Sequence, residues 1–218
     1  MHIKKTKMPK SWPVSRKGRG KRFIAVPSHS MKKGISLLFL LRDFLKIAKT
    51  RKEARFMTLG GLVKVNNKIR KNESFPVQVF DTINLAKANL NYRLEIVNKK
   101  FSLKKISEKD ALEKIVKISG KSFISKGIIQ MNLDDGGNIL TKEKFSVGDS
   151  VLLNTKDSKI VKIFPIKEGA NIEVILGKHA GEKGKLVGYE NLVRGKNCLI
   201  KLTGGEVSLP LKALLVIK

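Results

Sequence analysis

Apolar side chains recur along residues 35–48 at helical spacing: Ile35, Leu38, Leu41, Phe44, Leu45 and Ala48. The spacing predicts a helix with one apolar face turned to a core. A second helix is predicted after Thr50. Its side-chain oxygen suits the first free amides, and Glu53, three residues on, completes a capping box. Gly60-Gly61 predicts the left-handed turn that ends this helix. Leu62-Val63-Lys64-Val65 then alternates as a strand does, Asn66-Asn67 suits a tight turn because Asn tolerates positive φ, and Lys68-Ile69-Arg70 returns as the second strand. Val77–Leu85 predicts a further strand, interrupted at Asp81-Thr82.

Beyond residue 90 the pattern breaks into short β-like pieces at Tyr92–Val97, Phe101–Ile106, Ile128–Leu133 and Ser150–Leu153. Lys99-Lys100 and Asp135-Gly136-Gly137-Asn138 mark turns between them. Ser107-x-x-Asp110 starts a helix expected near Asp110–Lys117. After the turn at Glu168-Gly169-Ala170-Asn171, strands are expected at Ile172–Leu176, Cys198–Leu202 and Glu206–Leu209, forming a small five-stranded barrel. Between the first two of these lies Gly177-Lys178-His179-Ala180-Gly181-Glu182-Lys183-Gly184-Lys185, where bare backbone alternates with charge.

Composition narrows the reading. The 218 residues suffice for one large domain or two or three small ones, and the 41% hydrophobic content supports cores that must be mostly aliphatic. The net charge of +28 works against compaction unless a polyanion offsets it; nucleic acid comes first, an anionic membrane surface second. The charge is uneven, with residues 1–34 carrying 11 basic side chains and no acid. That segment has two readings: a solvated tail, or an arm that folds against RNA with Trp12, exposed in Pro9-Lys10-Ser11-Trp12-Pro13, as a flat anchor. The single Cys198 excludes an internal disulfide and a Cys-cluster zinc site, and suits a reducing cytosol. No apolar run approaches the roughly 20 residues of a membrane span.

Catalytic and cofactor signatures fail on spacing. Gly18-x-Gly20 lacks the third Gly and the preceding strand of a dinucleotide fingerprint, and Gly120-Lys121-Ser122 has Ile115 where a phosphate-binding loop needs Gly. Asp134-Asp135-Gly136-Gly137 lacks the spaced oxygens of a calcium loop. His2, His29 and His179 are dispersed, and no nucleophile–base arrangement can be assembled. The expectation is a non-enzyme without cofactor, metal, small-molecule substrate or membrane partner.

Two stretches carry family resemblances. Ala48-Lys49-Thr50-Arg51-x-Glu53-Ala54-Arg55, followed by Gly61-x-Val63-x-Val65-Asn66, Pro76 and Asp81-x-Ile83, resembles the S-four RNA-binding domain, with Asn67 where that domain usually has Gly. The glycine-lysine stretch from Gly177 resembles a KOW motif. Their order resembles small-subunit ribosomal protein four of the archaeal and eukaryotic type. Leu41-Arg42-Asp43-Phe44-Leu45, Ile118-x-Gly120-Lys121, Gln130-x-Asn132-Leu133-x-Asp135-Gly136-x-Asn138, Val147-Gly148-Asp149-Ser150 and Glu168-Gly169-Ala170 support the match. The first residues are shorter than is usual for that family.

The resemblance implies a multi-domain, mainly β protein with a small α/β module. Its expected parts are a basic N-terminal arm over 1–34, an α-α-hairpin RNA-binding module over 35–90, a central β domain over 91–165 and a C-terminal SH3-like β-barrel over 166–218. It implies a cytoplasmic structural constituent of the small ribosomal subunit, bound to ribosomal RNA and neighbouring ribosomal proteins and supporting assembly and translation. The alternatives are a KOW-bearing translation or transcription factor and an RNA-modifying enzyme with an S-four module. Candidate RNA contacts are Lys10, Trp12, Arg16, Lys17, Arg19, Lys21 and Arg22 in the arm; Lys49, Arg51, Lys52, Arg55, Lys64, Lys68 and Arg70 in the module; and Lys178, His179, Lys183 and Lys185 in the glycine-lysine loop. Arg51 and Arg55, four apart, leave one helical face. For each of these basic groups the rival reading is a solvated charge.

Overall fold

The computed structural model describes residues 2–14, 16, 22–29, 31–86, 88–125, 127–192 and 195–217, which form two compact units. The first holds residues 1–96 and 100–112, the second 97–99 and 113–218.

The first unit begins with β1 (His2–Lys4), paired antiparallel with β2 (Phe23–Ala25). Next come β3 (Gly34–Ser36) and α1 (Leu37–Phe39), capped by the Ser36 hydroxyl, which accepts from the Phe39 amide at 3.3 Å. The expected single helix over 35–48 is shorter and less regular. After α1 the backbone widens over Leu40–Phe44, where the Leu45 amide donates to the Leu40 carbonyl, five residues back. Every side chain from Ile35 to Leu41 is buried, so this segment is enclosed all round and is not merely amphipathic.

Helix α2 (Arg51–Leu59) follows the capping logic of its sequence. Thr50 Oγ1 accepts from the Glu53 amide at 3.2 Å, and Glu53 Oε2 accepts from the Lys49 amide at 2.7 Å. At its end Gly61 adopts φ +70°, and the Leu62 and Gly61 amides donate to the Met57 and Thr58 carbonyls. Strands β4 (Val63–Val65) and β5 (Lys68–Ile69) form the expected hairpin across Asn66 (φ 50°) and Asn67 (φ 61°). The remaining elements are β6 (Pro76–Gln78), β7 (Thr82–Leu85), β8 (Leu90–Val97), β9 (Lys100–Ile106) and α3 (Glu108–Ala111). β3 pairs with β6, while a five-stranded sheet runs β5-β4-β7-β8-β9.

Two further expectations need correction here. Trp12 is not an exposed anchor: it is 1% exposed, lies 5.4 Å from the Phe39 ring and donates its indole N–H to the Met31 carbonyl at 3.2 Å. Burying so large a ring outweighs whatever its basic neighbours would favour. Met8, Ile24 and Val26 are buried as well, and the Phe101 amide donates to the Ser11 carbonyl at 2.8 Å. The described parts of the segment 1–34 are thus packed structure, with the apolar surface supplied by the rest of the unit. The second correction is the helix expected near Asp110–Lys117. Only α3 is helical, and from Glu113 the chain is extended. The β-branched run Ile115-Val116 leads into Ile118, and Val116 and Ile118 are buried against a sheet core, which decides the outcome over helix propensity.

Among the described residues the second unit has two five-stranded antiparallel sheets. One contains β10 (Glu113–Ser125), β11 (Ile128–Leu133), β12 (Asn138–Thr141), β13 (Ser150–Asn154) and β14 (Lys159–Phe164), in the order β12-β11-β10-β13-β14. Its core joins Val116, Ile118, Met131, Leu133, Phe145, Val151 and Leu153. The other contains β15 (Asn171–Val174), β16 (Lys183–Leu192), β17 (Gly195–Leu202), β18 (Gly205–Pro210) and β19 (Leu214–Val216), in the order β18-β17-β16-β15-β19. Ile172, Val174, Leu186, Cys198, Ile200, Leu202 and Leu214 form its core. Cys198 is a buried small hydrophobe, and burial pushes its thiol pKa upward.

Polar groups join these two sheets. The Lys117 ammonium on β10 donates to the Leu211 carbonyl and to the Leu214 carbonyl, the latter at 3.0 Å. Asp149 accepts from the Ser146 amide at 2.8 Å and the Ile166 amide at 2.9 Å, and the Ser150 hydroxyl accepts from the Val216 amide at 2.9 Å. The stretch Val147–Ser150 is therefore a structural junction.

Candidate nucleic-acid interface

The capped start of α2 sets out three cations. Arg51, Lys52 and Arg55 are exposed, and Lys49 precedes them on the chain. Arg51 is not free: its Nε donates to Glu73 Oε1 at 2.9 Å, its Nη2 donates to the same oxygen, and the side chain as a whole is still 66% exposed. That hydrogen bond, with the attached charge attraction, raises the Arg51 pKa above its ordinary value. Lys52 and Arg55 have no ion-pair partner among the described residues. The Glu53 carboxyl is held below the usual carboxylate range, chiefly by the Lys49 amide, so the residue that caps the helix stays ionised.

The β4–β5 hairpin follows α2 directly. Lys68 is exposed, whereas Lys64 is half-buried on the inner strand, between Ile69 and Asn84 in register. Arg70 packs its guanidinium over the Phe75 ring at 4.3 Å. Arg70 is thus partly structural, and of the candidate contacts in this module Lys49, Arg51, Lys52, Arg55 and Lys68 are exposed. Sequence reading missed the apolar side chains that share it. Phe56 is 74% exposed, and Leu59 and Ile69 are also exposed. The available signal was Phe56 standing four residues after Lys52, and so on the charged side of α2.

In the arm, Lys10 and Arg16 are exposed, with Arg16 donating to the Met8 carbonyl, and Arg22 lies 5.9 Å over the Phe23 ring. Lys17, Arg19 and Lys21 lie outside the described residues.

The glycine-lysine stretch splits by function. Gly177 (φ +97°) and Gly181 (φ +90°) make the turn before β16. Gly184 serves packing: a Cβ there would sit 2.3 Å from the Lys201 carbonyl oxygen on β17. Lys178 and Lys185 are exposed. Lys183 Nζ lies 3.7 Å from Glu173, and His179 Nδ1 lies 3.1 Å from Glu182. Lys185 faces Lys201 across the β16–β17 ladder, a like-charge pair that sequence alone did not reveal. Glu206 stands on the far side of Lys201. Among the described residues no group of His, Cys, Asp and Glu could hold a metal ion, and no helix is long and apolar enough to cross a membrane.

Comparison with known proteins bears directly on this surface. Residues 40–83, from the widened turn through α2 and its hairpin into β7, match the S4 domain model, and residues 88–160 match that of ribosomal family S4e. The small ribosomal subunit protein eS4 of Methanocella arvoryzae is 36% identical over 85% of this chain and 79% of its own length. That of Archaeoglobus fulgidus is 34% identical over 94% of this chain and 87% of its own. The chain belongs to the S4e family of ribosomal proteins. A crystal structure of the 30S ribosomal protein S4e from Thermoplasma acidophilum superposes with a TM-score of 0.72 at 27% identity, covering 85% of this chain and 95% of that one. The S4e likeness therefore extends across most of the chain.

Proposed function

We propose that this S4e-family chain is a structural constituent of the small ribosomal subunit, binding its RNA and supporting assembly and translation. It is a binding protein and not a catalyst. One observation carries the reading: Arg51, Lys52 and Arg55 are exposed on α2 beside Lys68 of the β4–β5 hairpin, inside the range that matches an S4 domain. These cations replace the counterions condensed on the RNA phosphates, and release of those counterions drives binding. Recognition is of RNA backbone, loops and shape.

The same reading assigns RNA contact to Lys10, Arg16 and Arg22, to Lys178 and Lys185, and to Lys17, Arg19 and Lys21. Trp12 is excluded by its burial. It takes the sheet from β15 to β19 as an SH3-like barrel with a KOW turn, and the segments 1–34, 35–90, 91–165 and 166–218 as successive RNA-contacting parts. Linked contacts raise one another's effective concentration, which suits tying separate RNA segments together. The place of action is the cytoplasmic ribosome, beside other small-subunit proteins. The test is sedimentation: the chain should stay with the small subunit through a sucrose gradient at near-physiological salt, and release into the top fractions there would overturn the proposal.

A further inference from the structure

The hairpin formed by β10 and β11 ends in an aromatic side chain that the fold does not use. Phe123 is 77% exposed, although a Phe ring in a sheet ordinarily covers a neighbour. It faces Ile129 across the ladder, just before an irregularity in register between Phe123 and Ser125. Lys121, two residues back on the same sheet face, has its Nζ 5.3 Å from the Phe123 centroid and 5.0 Å from that of Phe145. Phe145 is buried, and its carbonyl accepts from Lys121 Nζ at 3.3 Å. The ammonium is thus anchored from the core side and presented to the free ring.

The surroundings state what this ring suits. From Ile118 to Leu133 the sequence holds Lys121 and Lys126 and no Asp or Glu. The other face of the hairpin is a ladder of neutral polar groups. Gln130 Nε2 donates to Asn132 Oδ1 at 2.7 Å, and Asn132 Nδ2 donates to the Ser122 hydroxyl at 3.4 Å. A flat, exposed ring beside a fixed cation, on an arm without carboxylates, pairs stacking with phosphate attraction.

We propose that the β10–β11 hairpin is a single-stranded RNA contact, in which an unpaired base stacks on Phe123 and its phosphate is met by Lys121. The proposal rests on the RNA-binding reading above and adds a site in the second unit, where none of the sequence-derived contacts lies on this hairpin. Stacking needs a base with a free face, so loops and bulges bind here and continuous duplex does not.

The test uses the full chain with a short single-stranded oligoribonucleotide and its closed duplex, read by fluorescence anisotropy. Phe123→Ala should weaken single-strand binding about 5- to 150-fold, the range of one lost base stack. Phe123→Tyr should restore it. Leu140→Ala, an exposed apolar change on the opposite face of the same sheet, should leave it unaltered. In Phe123→Trp, the emission added over wild type should be quenched by the single strand and not by the duplex. Unquenched emission, or Phe123→Ala binding as tightly as wild type while Arg55→Glu binds weakly, would overturn the hairpin contact and leave the ribosomal reading standing. A wild-type chain that binds neither RNA would overturn both.

Discussion

Asn66 and Asp81 lock the β4–β5 turn to the sheet behind it. Asn66 Nδ2 donates to Asp81 Oδ1 at 2.8 Å, Asn66 Oδ1 accepts from the Thr82 amide at 3.0 Å, and Asp81 Oδ2 accepts from the Gln78 amide at 2.8 Å. The hairpin bearing Lys68 is thereby held in one orientation. Asn66→Ala removes both Asn66 bonds and leaves a non-Gly, non-Asn residue at positive φ, a loss of about 1–3 kcal/mol. Asn67→Gly, at φ 61° with no side-chain role in this lock, should match or exceed wild-type stability. Urea unfolding of the two variants checks the contrast.

RNA contact and folding separate on α2. Arg55→Glu should weaken binding to small-subunit ribosomal RNA without moving the melting temperature. Arg51→Glu should weaken both, because it sets a second carboxylate against Glu73, which is only 13% exposed. Leu41→Ala should cost roughly 2–5 kcal/mol of stability, since Leu41 is fully buried. If Arg55→Glu unfolds the protein and leaves RNA affinity unchanged, the helix face is structural.

Salt dependence tests the electrostatic account. Log affinity should fall linearly with log salt, by about 0.7–0.9 for each neutralised phosphate. Removing Lys52 or Arg55 should reduce the slope by about one such increment. A flat dependence would contradict binding through phosphates.

Acid should destabilise the second unit through Asp135. Burial pushes its carboxyl pKa up, but the Lys114 ammonium 2.6 Å away, together with the Gly137 amide, outweighs this and holds it below its ordinary value. A depressed carboxylate stabilises the fold above its unfolded pKa of about 3.9, and that contribution is lost as pH falls through the folded value. The acid limb of unfolding below about pH 4 should flatten in Asp135→Asn. At neutral pH the same variant should be less stable by roughly 2–3 kcal/mol, under the figure for a fully enclosed pair because Asp135 keeps some solvent contact.

Packing of Trp12 changes what removal of the N-terminal segment does. Trp12→Ala should cost about 3–5 kcal/mol, as a fully enclosed ring does. Deleting residues 1–34 should therefore lower the melting temperature of the first unit as well as its RNA affinity. A deletion variant melting like the full chain would contradict the packing of Trp12 on Phe39.

Local chemistry was legible in the sequence where one residue type answers one backbone need. The capping pair Thr50 and Glu53, the Gly61 turn, the Asn66-Asn67 hairpin and the strand Ile128–Leu133 needed no information from elsewhere in the chain. Trp12 was misread because its partners, Phe39 and the Met31 carbonyl, are distant in sequence while the segment around it is basic and rich in proline. Glu113–Lys117 was misread because Lys114 and Lys117 look like a solvated helix face. Both are buried, one on Asp135 and one on the Leu211 and Leu214 carbonyls. In the candidate interface, charge patterning identified exposed Lys52 and Arg55. It did not separate them from Arg51, whose Glu73 partner lies 22 residues away.

The order of strands in the sheets has a consequence for the free protein before it meets its partner. An open sheet edge is a template for pairing with another chain. β9 and β14 are edges, and exposed lysines line them: Lys100, Lys104 and Lys105 on the first, Lys159 and Lys162 on the second. Charge that suits RNA on the ribosome thus doubles as a guard against self-association during the wait for assembly. Conditions that mask lysine charge without supplying RNA should expose these edges and favour aggregation.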